Sequence, residues 1–161
     1  MLLKTNTILA QPERSIGNLV LSGKVVDENK RGLQSTIYIY KGDDMTTEFQ
    51  TSRIGKFTYE VKMQDSITMV VCQDGYVSKT VIIDAQVHVA HQHKDFLFPF
   101  FIDLYPVGRT PSHIDLTRPV GKVVFEGGQF VYDTEFTKKA NEELKEFVRE
   151  RKDLRVRALE N

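Results

Sequence analysis

Apolar and polar residues alternate along most of the first two thirds of the chain, and turn residues interrupt the alternation about every eight to twelve positions. The runs at 19–26, 37–40 and 57–61 each place apolar side chains at every second position, as strands with one buried face do. The run at 67–72 is apolar almost throughout, which is typical of a strand inside a sheet. The pattern predicts a mainly β protein, an antiparallel β-sandwich over residues 19–106.

Two runs predict sheet edges. Residues 45–51 are weakly hydrophobic and favour an edge strand. The aromatic run 96–105 contains Pro99, which cannot donate a ladder hydrogen bond, so we expect its paired part at 100–105, at an edge or beyond a bulge. Because the chain has ten Phe and no Trp, we assign this run to the core; a binding role would require that its side chains be exposed.

The last third of the chain predicts a separate appendage over residues 119–161. Pro111 within 107–118, Pro106 and Pro119 on either side of it, and the lack of periodicity make this segment a linker. Gly127-Gly128 favours a tight hairpin that sets Phe125 opposite Phe130 and Val123 opposite Tyr132. An amphipathic helix follows from Asp133 or Thr134, and its apolar stripe is Phe136, Ala140, Leu144, Phe147 and Val148. We expect residues 19–106 to fold without this appendage.

Charge and composition exclude several classes of function. Twenty-two basic residues balance 22 acidic ones, so no global field favours nucleic acid as a partner. Cys72 is the single cysteine, which excludes an intramolecular disulfide. No apolar run is long enough for a transmembrane helix. Residues 1–18 are either a frayed lead-in or the remnant of a signal peptide, whose end the segment 8–11 resembles.

Three histidines are the sharpest candidates for chemistry. In an extended segment, His91 and His93 project to one face and His88 to the other, so a zinc or copper site would need a third ligand from His113 or a carboxylate. A solvated loop explains the same residues, and we favour that interpretation over a metal site. Asp43-Asp44 lies in a predicted turn, and no nucleophile or phosphate-loop pattern occurs. We therefore predict no catalytic residues, no cofactor and no enzyme.

Several short motifs resemble the carboxypeptidase regulatory-like domains, which are transthyretin-like (prealbumin-like) Greek-key β-sandwiches. The motifs are Gly23-Lys24-Val25-Val26-Asp27, then Leu33, then Gly55-Lys56-Phe57 at the end of a polar turn, then Gly75-Tyr76 before a Lys-bearing strand. Gln34-Ser35 departs from the usual Pro-Gly, and Ser52 and Ile54 replace the usual Asp and Asn. The resemblance covers residues 19–106 and implies a non-catalytic accessory of the kind attached to outer-membrane receptors and secretion machinery in Gram-negative bacteria.

These observations lead to one functional hypothesis and one alternative. The hypothesis is a non-enzymatic cell-envelope adaptor, periplasmic or outer-membrane associated if exported, that binds another protein in an outer-membrane secretion or uptake assembly. Its docking surfaces would be the sheet edges, where backbone groups lack partners, or the hairpin and helix. The alternative is a small ligand- or metal-binding protein that uses the segment from His88 to His93.

Overall fold

Nine β-strands and the first turns of one helix make up the part of the chain that the structure describes. The computed structural model describes residues 14–107 and 118–142. The strands are β1 (Asn18–Val26), β2 (Thr36–Lys41), β3 (Asp44–Gln50), β4 (Lys56–Lys62), β5 (Ser66–Cys72), β6 (Lys79–Asp84), β7 (Phe96–Asp103), β8 (Gly121–Glu126) and β9 (Gln129–Tyr132). The helix, α1, begins at residue 134 and is described as far as residue 142.

The strands form two sheets. One has three strands in the order β4-β1-β7, and the other has six in the order β3-β2-β5-β6-β8-β9. The predicted mainly β architecture is confirmed, and β3 is an edge strand as expected. The sheets are mixed rather than purely antiparallel, because β1 pairs with β7 in parallel and β6 pairs with β8 in parallel. Strand β7, which lies between β6 and β8 along the chain, belongs to the three-stranded sheet. The chain then returns to the six-stranded sheet as β8, which runs beside β6 in the same direction.

The inward faces of both sheets share one hydrophobic core, and they are the faces that the alternation predicts. Leu19 and Leu21 of β1 and Ile37 and Ile39 of β2 are fully buried. On the same face of β1, a Cβ added at Gly23 would lie 2.2 Å from the ring of the Phe that faces it on β4. Glycine at this position therefore makes room for that aromatic ring in the core.

Strand β7 differs from its prediction at one end. It runs through Pro99 and pairs with β1 from residue 96 to residue 103, so the expectation that pairing starts at residue 100 is wrong. Its position at the edge of the three-stranded sheet is confirmed. An edge strand has one hydrogen-bonded neighbour, so proline costs no ladder hydrogen bond at a position whose backbone nitrogen points away from that neighbour.

The C-terminal hairpin has the predicted register, and it is part of the sandwich. Gly127 and Gly128 have φ of 59° and 88°, and the predicted partners face each other across β8 and β9. Because β8 lies beside β6 in the six-stranded sheet, Val123 and Phe130 enter the common core. The hairpin therefore extends a sheet instead of lying outside it, and the predicted division between 19–106 and 119–161 does not separate two cores.

Helix α1 follows the hairpin directly. The carboxylate of Asp133 accepts a hydrogen bond of 2.9 Å from the amide of Phe136, so Asp133 caps the helix as one of the two predicted candidates. The remainder of the predicted apolar stripe, Leu144, Phe147 and Val148, lies outside the described residues. The same holds for segment 1–13 and for most of the predicted linker, residues 108–117.

Candidate interaction surface

The side of the three-stranded sheet that points away from the core carries the most exposed large apolar side chains of β7. Leu97, Pro99 and Phe101 alternate with the buried Phe98 and Phe100 along this strand. Leu97 is 66% exposed and Phe101 is 71% exposed. Because residues two apart on a strand share a face, these three side chains form one outward apolar stripe about 13 Å long.

Strand register extends this stripe into three rows across the sheet. We call the set of nine residues the outer face: Leu97, Val20 and Glu60 in the first row, Pro99, Ser22 and Thr58 in the second, and Phe101, Lys24 and Lys56 in the third. Neighbouring strands lie about 4.8 Å apart, so each row is a line of three adjacent side chains. The β7 side of the face is apolar, and the β4 side is charged.

The charged side chains of the outer face have no counterions within the described part of the chain. Lys24, Lys56 and Glu60 take part in none of its ion pairs, whereas Lys79, Lys41 and Lys122 each lie within 4 Å of a carboxylate. The outer face therefore presents both signs of charge to solvent. A lysine pair lies at the Phe101 end, and a carboxylate lies at the Leu97 end.

A polar cluster anchors the end of β7 that follows Phe101. The ammonium of Lys79, on β6 of the other sheet, lies 2.8 Å from Asp103 Oδ1 and 5.0 Å from the ring centroid of Tyr105. The Tyr105 hydroxyl donates a hydrogen bond of 2.8 Å to Asp103 Oδ2. Burial raises the pKa of Asp103, but the hydrogen bonds from Lys79 and Tyr105 outweigh it and hold that pKa at about 2. The cluster ties the two sheets together with a charge-assisted hydrogen bond.

The other end of β7 is held against the start of β1. The backbone amide of Asn18 donates a hydrogen bond of 2.8 Å to the carboxylate of Asp95, the residue before β7. The backbone amide of Gly17 donates one of 2.8 Å to the carbonyl of Gln92. Both ends of the strand that carries the apolar stripe are therefore fixed by bonds to other parts of the fold.

Aromatic rings support β7 from the core side. The ring of Phe96 lies 5.5 Å from that of Phe130, and the ring of Phe98 lies 5.2 Å from that of Tyr132, both nearly edge to face. Burial raises the pKa of Tyr132 to about 12. The hairpin therefore packs behind β7, which leaves the stripe as the solvent side of a well-supported strand.

Of the three candidate metal ligands, His91 and His93 lie in turns, and His88 directly precedes them and accepts a backbone hydrogen bond from His91, so the alternation assumed for an extended segment does not hold. The ring of His91 packs 5.1 Å from that of Phe125, and Nδ1 of His93 lies 3.1 Å from the carbonyl oxygen of Ser15. Nδ1 of His88 accepts a hydrogen bond of 3.3 Å from the amide of Ala90. Within 14–107 and 118–142, no three His, Cys, Asp or Glu side chains gather as a metal site would require.

The other candidate groups have local explanations, and His113 lies outside the described residues. The thiol of Cys72 accepts a hydrogen bond of 3.2 Å from the Ser78 hydroxyl. Asp43 lies in the tight turn before β3, and Asp44 is the first residue of that strand. Neither acid is buried, so the described structure gives them no environment that would favour acid–base chemistry.

Sequence reasoning missed the exposure of Leu97, Pro99 and Phe101, because it assigned the whole aromatic run to the core. Only one parity of that run is buried. The available signal was the combination of apolar residues at both parities with a proline that places the strand at an edge. An edge strand of a two-layer sandwich has one face in solvent, so one parity of such a strand is exposed.

Of the comparisons with known proteins, the one with solved structures gives matches. No family model matches the chain, and no curated protein matches it. Among solved structures, it is similar to the 3-chlorocatechol 1,2-dioxygenase of Rhodococcus opacus 1CP (12% identity, 61% of this chain, 64% of that chain, TM-score 0.42). It is also similar to the Bacillus anthracis TIE protein (14%, 56%, 18%, 0.46) and to the catechol 1,2-dioxygenase of Acinetobacter sp. ADP1 (12%, 68%, 59%, 0.45).

These likenesses do not identify a function. The chain spans less than two thirds of the length of each of these three structures, and every TM-score is below 0.5. No helix within the described residues is long and apolar enough to cross a membrane.

Proposed function

We propose that this protein is a non-enzymatic accessory protein of the cell envelope that binds a protein partner through the outer face. The observation that carries the proposal is the exposure of Leu97 and Phe101 on one face of an edge strand that is fixed at both ends. Exposed apolar side chains that lie next to one another and are rimmed by polar residues mark interaction sites. An outer-membrane or periplasmic setting is part of the proposal and has its support in the resemblance to carboxypeptidase regulatory-like domains.

The fold has no need of apolar side chains at these positions. The core is filled by the opposite parity of β7, which includes Phe98 and Phe100. Polar, β-compatible residues at 97 and 101 would keep the same strand and the same core. A partner that buries one Leu and one Phe gains roughly 1.5–3 kcal/mol from each side chain. Binding therefore gives a physical reason for residues that folding does not require.

The hairpin is a less suitable docking element than the sequence suggests. Phe130 and Val123 are buried in the core, and Phe125 packs against it. These apolar groups are therefore already in contact with the sandwich. Among the described residues, Leu97 and Phe101 of the outer face are more exposed than any apolar side chain of the hairpin.

Site-specific photo-crosslinking in cells that produce the full chain tests the proposal. A photoreactive phenylalanine analogue replaces Phe101, and the matched control carries the same analogue at Glu48, on the edge strand of the other sheet. We expect a discrete crosslinked protein from position 101, identified by mass spectrometry, whose yield falls when Leu97 is also changed to Ser. Absence of any crosslinked protein from position 101 would refute a protein-binding role for the outer face.

A further inference from the structure

We infer that the outer face binds a second copy of this chain, and that two outer faces pack about a two-fold axis along the row Pro99, Ser22 and Thr58. The inference rests on the proposed protein-binding function and identifies its partner. The argument is the arrangement of charge and apolar area around that middle row. This middle row lies midway between the first and third rows, because on every strand its residue is two positions from the residue in each of them.

The two-fold axis makes the face complementary to itself. Rotation about the middle row keeps each strand opposite its own copy and exchanges the first row with the third. Lys56 then faces Glu60 of the second copy, and Phe101 faces Leu97 of the second copy. On the central strand Lys24 faces Val20 of the second copy, whose neighbour in the same row is that Glu60. Each contact occurs twice, as an isologous interface requires. Both charges are exposed and lack counterions within the described part of the chain, so they are available for this pairing.

The reach of the side chains agrees with this arrangement. Sheets that pack face to face lie about 10 Å apart and keep their strands within about 30° of alignment. Lysine and glutamate side chains that extend toward each other span about that distance. The rotation places β4 against β4 and β7 against β7 in antiparallel alignment, which is compatible with aligned sheet packing.

The other two-fold axis in the plane of the face is unfavourable. An axis along the strands would exchange β4 with β7 and leave each row opposite itself. Glu60 would then face Leu97 of the second copy, and Lys56 would face Phe101. Both carboxylates would be desolvated against apolar groups with no counterion, which is costly. The charge pattern therefore selects the axis along the middle row.

An anionic bilayer fits the face less well. An anionic lipid surface presents one sign of charge everywhere, so it would attract Lys56 and repel Glu60.

The face covers about 15 Å by 17 Å from strand spacing and rise, which is small for a stable interface. We therefore expect a reversible dimer that dissociates on dilution, and not an obligate one.

Sedimentation equilibrium of the full chain between about 1 and 500 μM tests the inference, a range that covers weak association. We expect a concentration-dependent dimer. Lys56→Glu and Glu60→Lys each place like charges opposite one another, and each should weaken association at least tenfold. The double variant K56E/E60K restores opposite charges and should recover the association constant to within about threefold. Glu48→Lys, the same charge change on β3 of the other sheet, is the matched control and should have no effect.

All of the substituted residues are exposed, so circular dichroism and thermal unfolding, measured at concentrations where every variant is monomeric, should be unchanged and should rule out loss of fold. A monomer at every concentration overturns the inference, as does a dimer that is indifferent to both single changes or a double variant that fails to recover. Binding of the monomer to vesicles with 30% phosphatidylglycerol would assign the face to a bilayer and also overturn it. A monomer that crosslinks another protein at position 101 would refute the dimer and leave the proposed function standing.

Discussion

Replacement of Phe130 by Ala tests whether the C-terminal hairpin and the sandwich share one core. Phe130 lies on β9, is 7% exposed, and is part of the buried cluster formed by both sheets. Its ring centroid lies 5.5 Å from that of Phe96 and 5.2 Å from that of Phe125. The substitution therefore removes a buried ring from the junction of the hairpin with β7 and leaves the exposed surface almost unchanged.

The expected cost follows from burial and ring contacts. A Phe→Ala change in a packed core costs about 3–5 kcal/mol, because apolar burial is lost and a cavity remains. For a chain of this size each kcal/mol lowers Tm by about 2–4 °C, so the decrease should be roughly 6–20 °C. If the hairpin were an independent appendage, its loss would leave the main unfolding transition unchanged.

Urea unfolding followed by circular dichroism measures the effect, and the control is Gln129→Ala at the exposed neighbouring position. The control should change stability by less than about 0.5 kcal/mol. A single wild-type transition that shifts as a whole in the Phe130 variant would confirm the shared core. Two wild-type transitions, or a loss below about 1 kcal/mol in that variant, would refute it and restore the predicted division between residues 19–106 and 119–161.

Three further predictions concern stability, and urea unfolding measures each of them. Because its pKa is lowered to about 2, ionised Asp103 stabilises the fold above about pH 4, and this contribution is lost as pH falls through about 2. Asp103→Asn should therefore cost about 1 kcal/mol at pH 7, after allowance for solvent screening, and progressively less toward pH 2. An equal cost at every pH would contradict the ion pair with Lys79. Gly55→Ala should cost well over 2 kcal/mol, because the added Cβ would lie 2.1 Å from a backbone oxygen. Gly42 also has a positive φ but has open space around it, so Gly42→Ala should cost about 1 kcal/mol. Equal costs for the two variants would contradict the steric argument. Valine at both positions of Gly127-Gly128 should cost about 2–4 kcal/mol through positive φ alone, and unchanged stability together with unchanged hairpin resonances would contradict the turn.

Local patterns predicted the parts of the fold that depend on one strand or one turn. The alternation of β1 placed Leu19, Leu21 and Val25 inward, and all three are fully buried. Gly127-Gly128 predicted a hairpin and its register, because only a tight turn with positive φ at both residues pairs Phe125 with its neighbour on β9. Each of these conclusions requires only side-chain parity or turn geometry, and both are properties of neighbouring residues.

Pairing between distant strands is not encoded in that way. The parallel pairs β1–β7 and β6–β8 join segments that are separated by other strands, and alternation is the same in parallel and antiparallel neighbours. The sequence did not indicate that the hairpin extends the six-stranded sheet, for the same reason. Val123 reads as a buried position in any hairpin, and only the pairing of β8 with β6 shows that it is buried in the common core.

The outer face could not be predicted from the sequence, because the register between strands determines which of its side chains are neighbours. Lys56 and Glu60 are two ordinary charges on a strand, and Leu97 and Phe101 are two apolar residues in an aromatic run. Only the alignment of β4 and β7 on either side of β1 brings them into rows, and only those rows reveal that Lys56 and Glu60, like Phe101 and Leu97, lie equally far from the row of Thr58 on its two sides. A shift of either strand by two residues would keep every residue and every alternation and destroy that symmetry. A self-complementary face is therefore a property of three strands together, and exchange of the two charges at 56 and 60 tests that property directly.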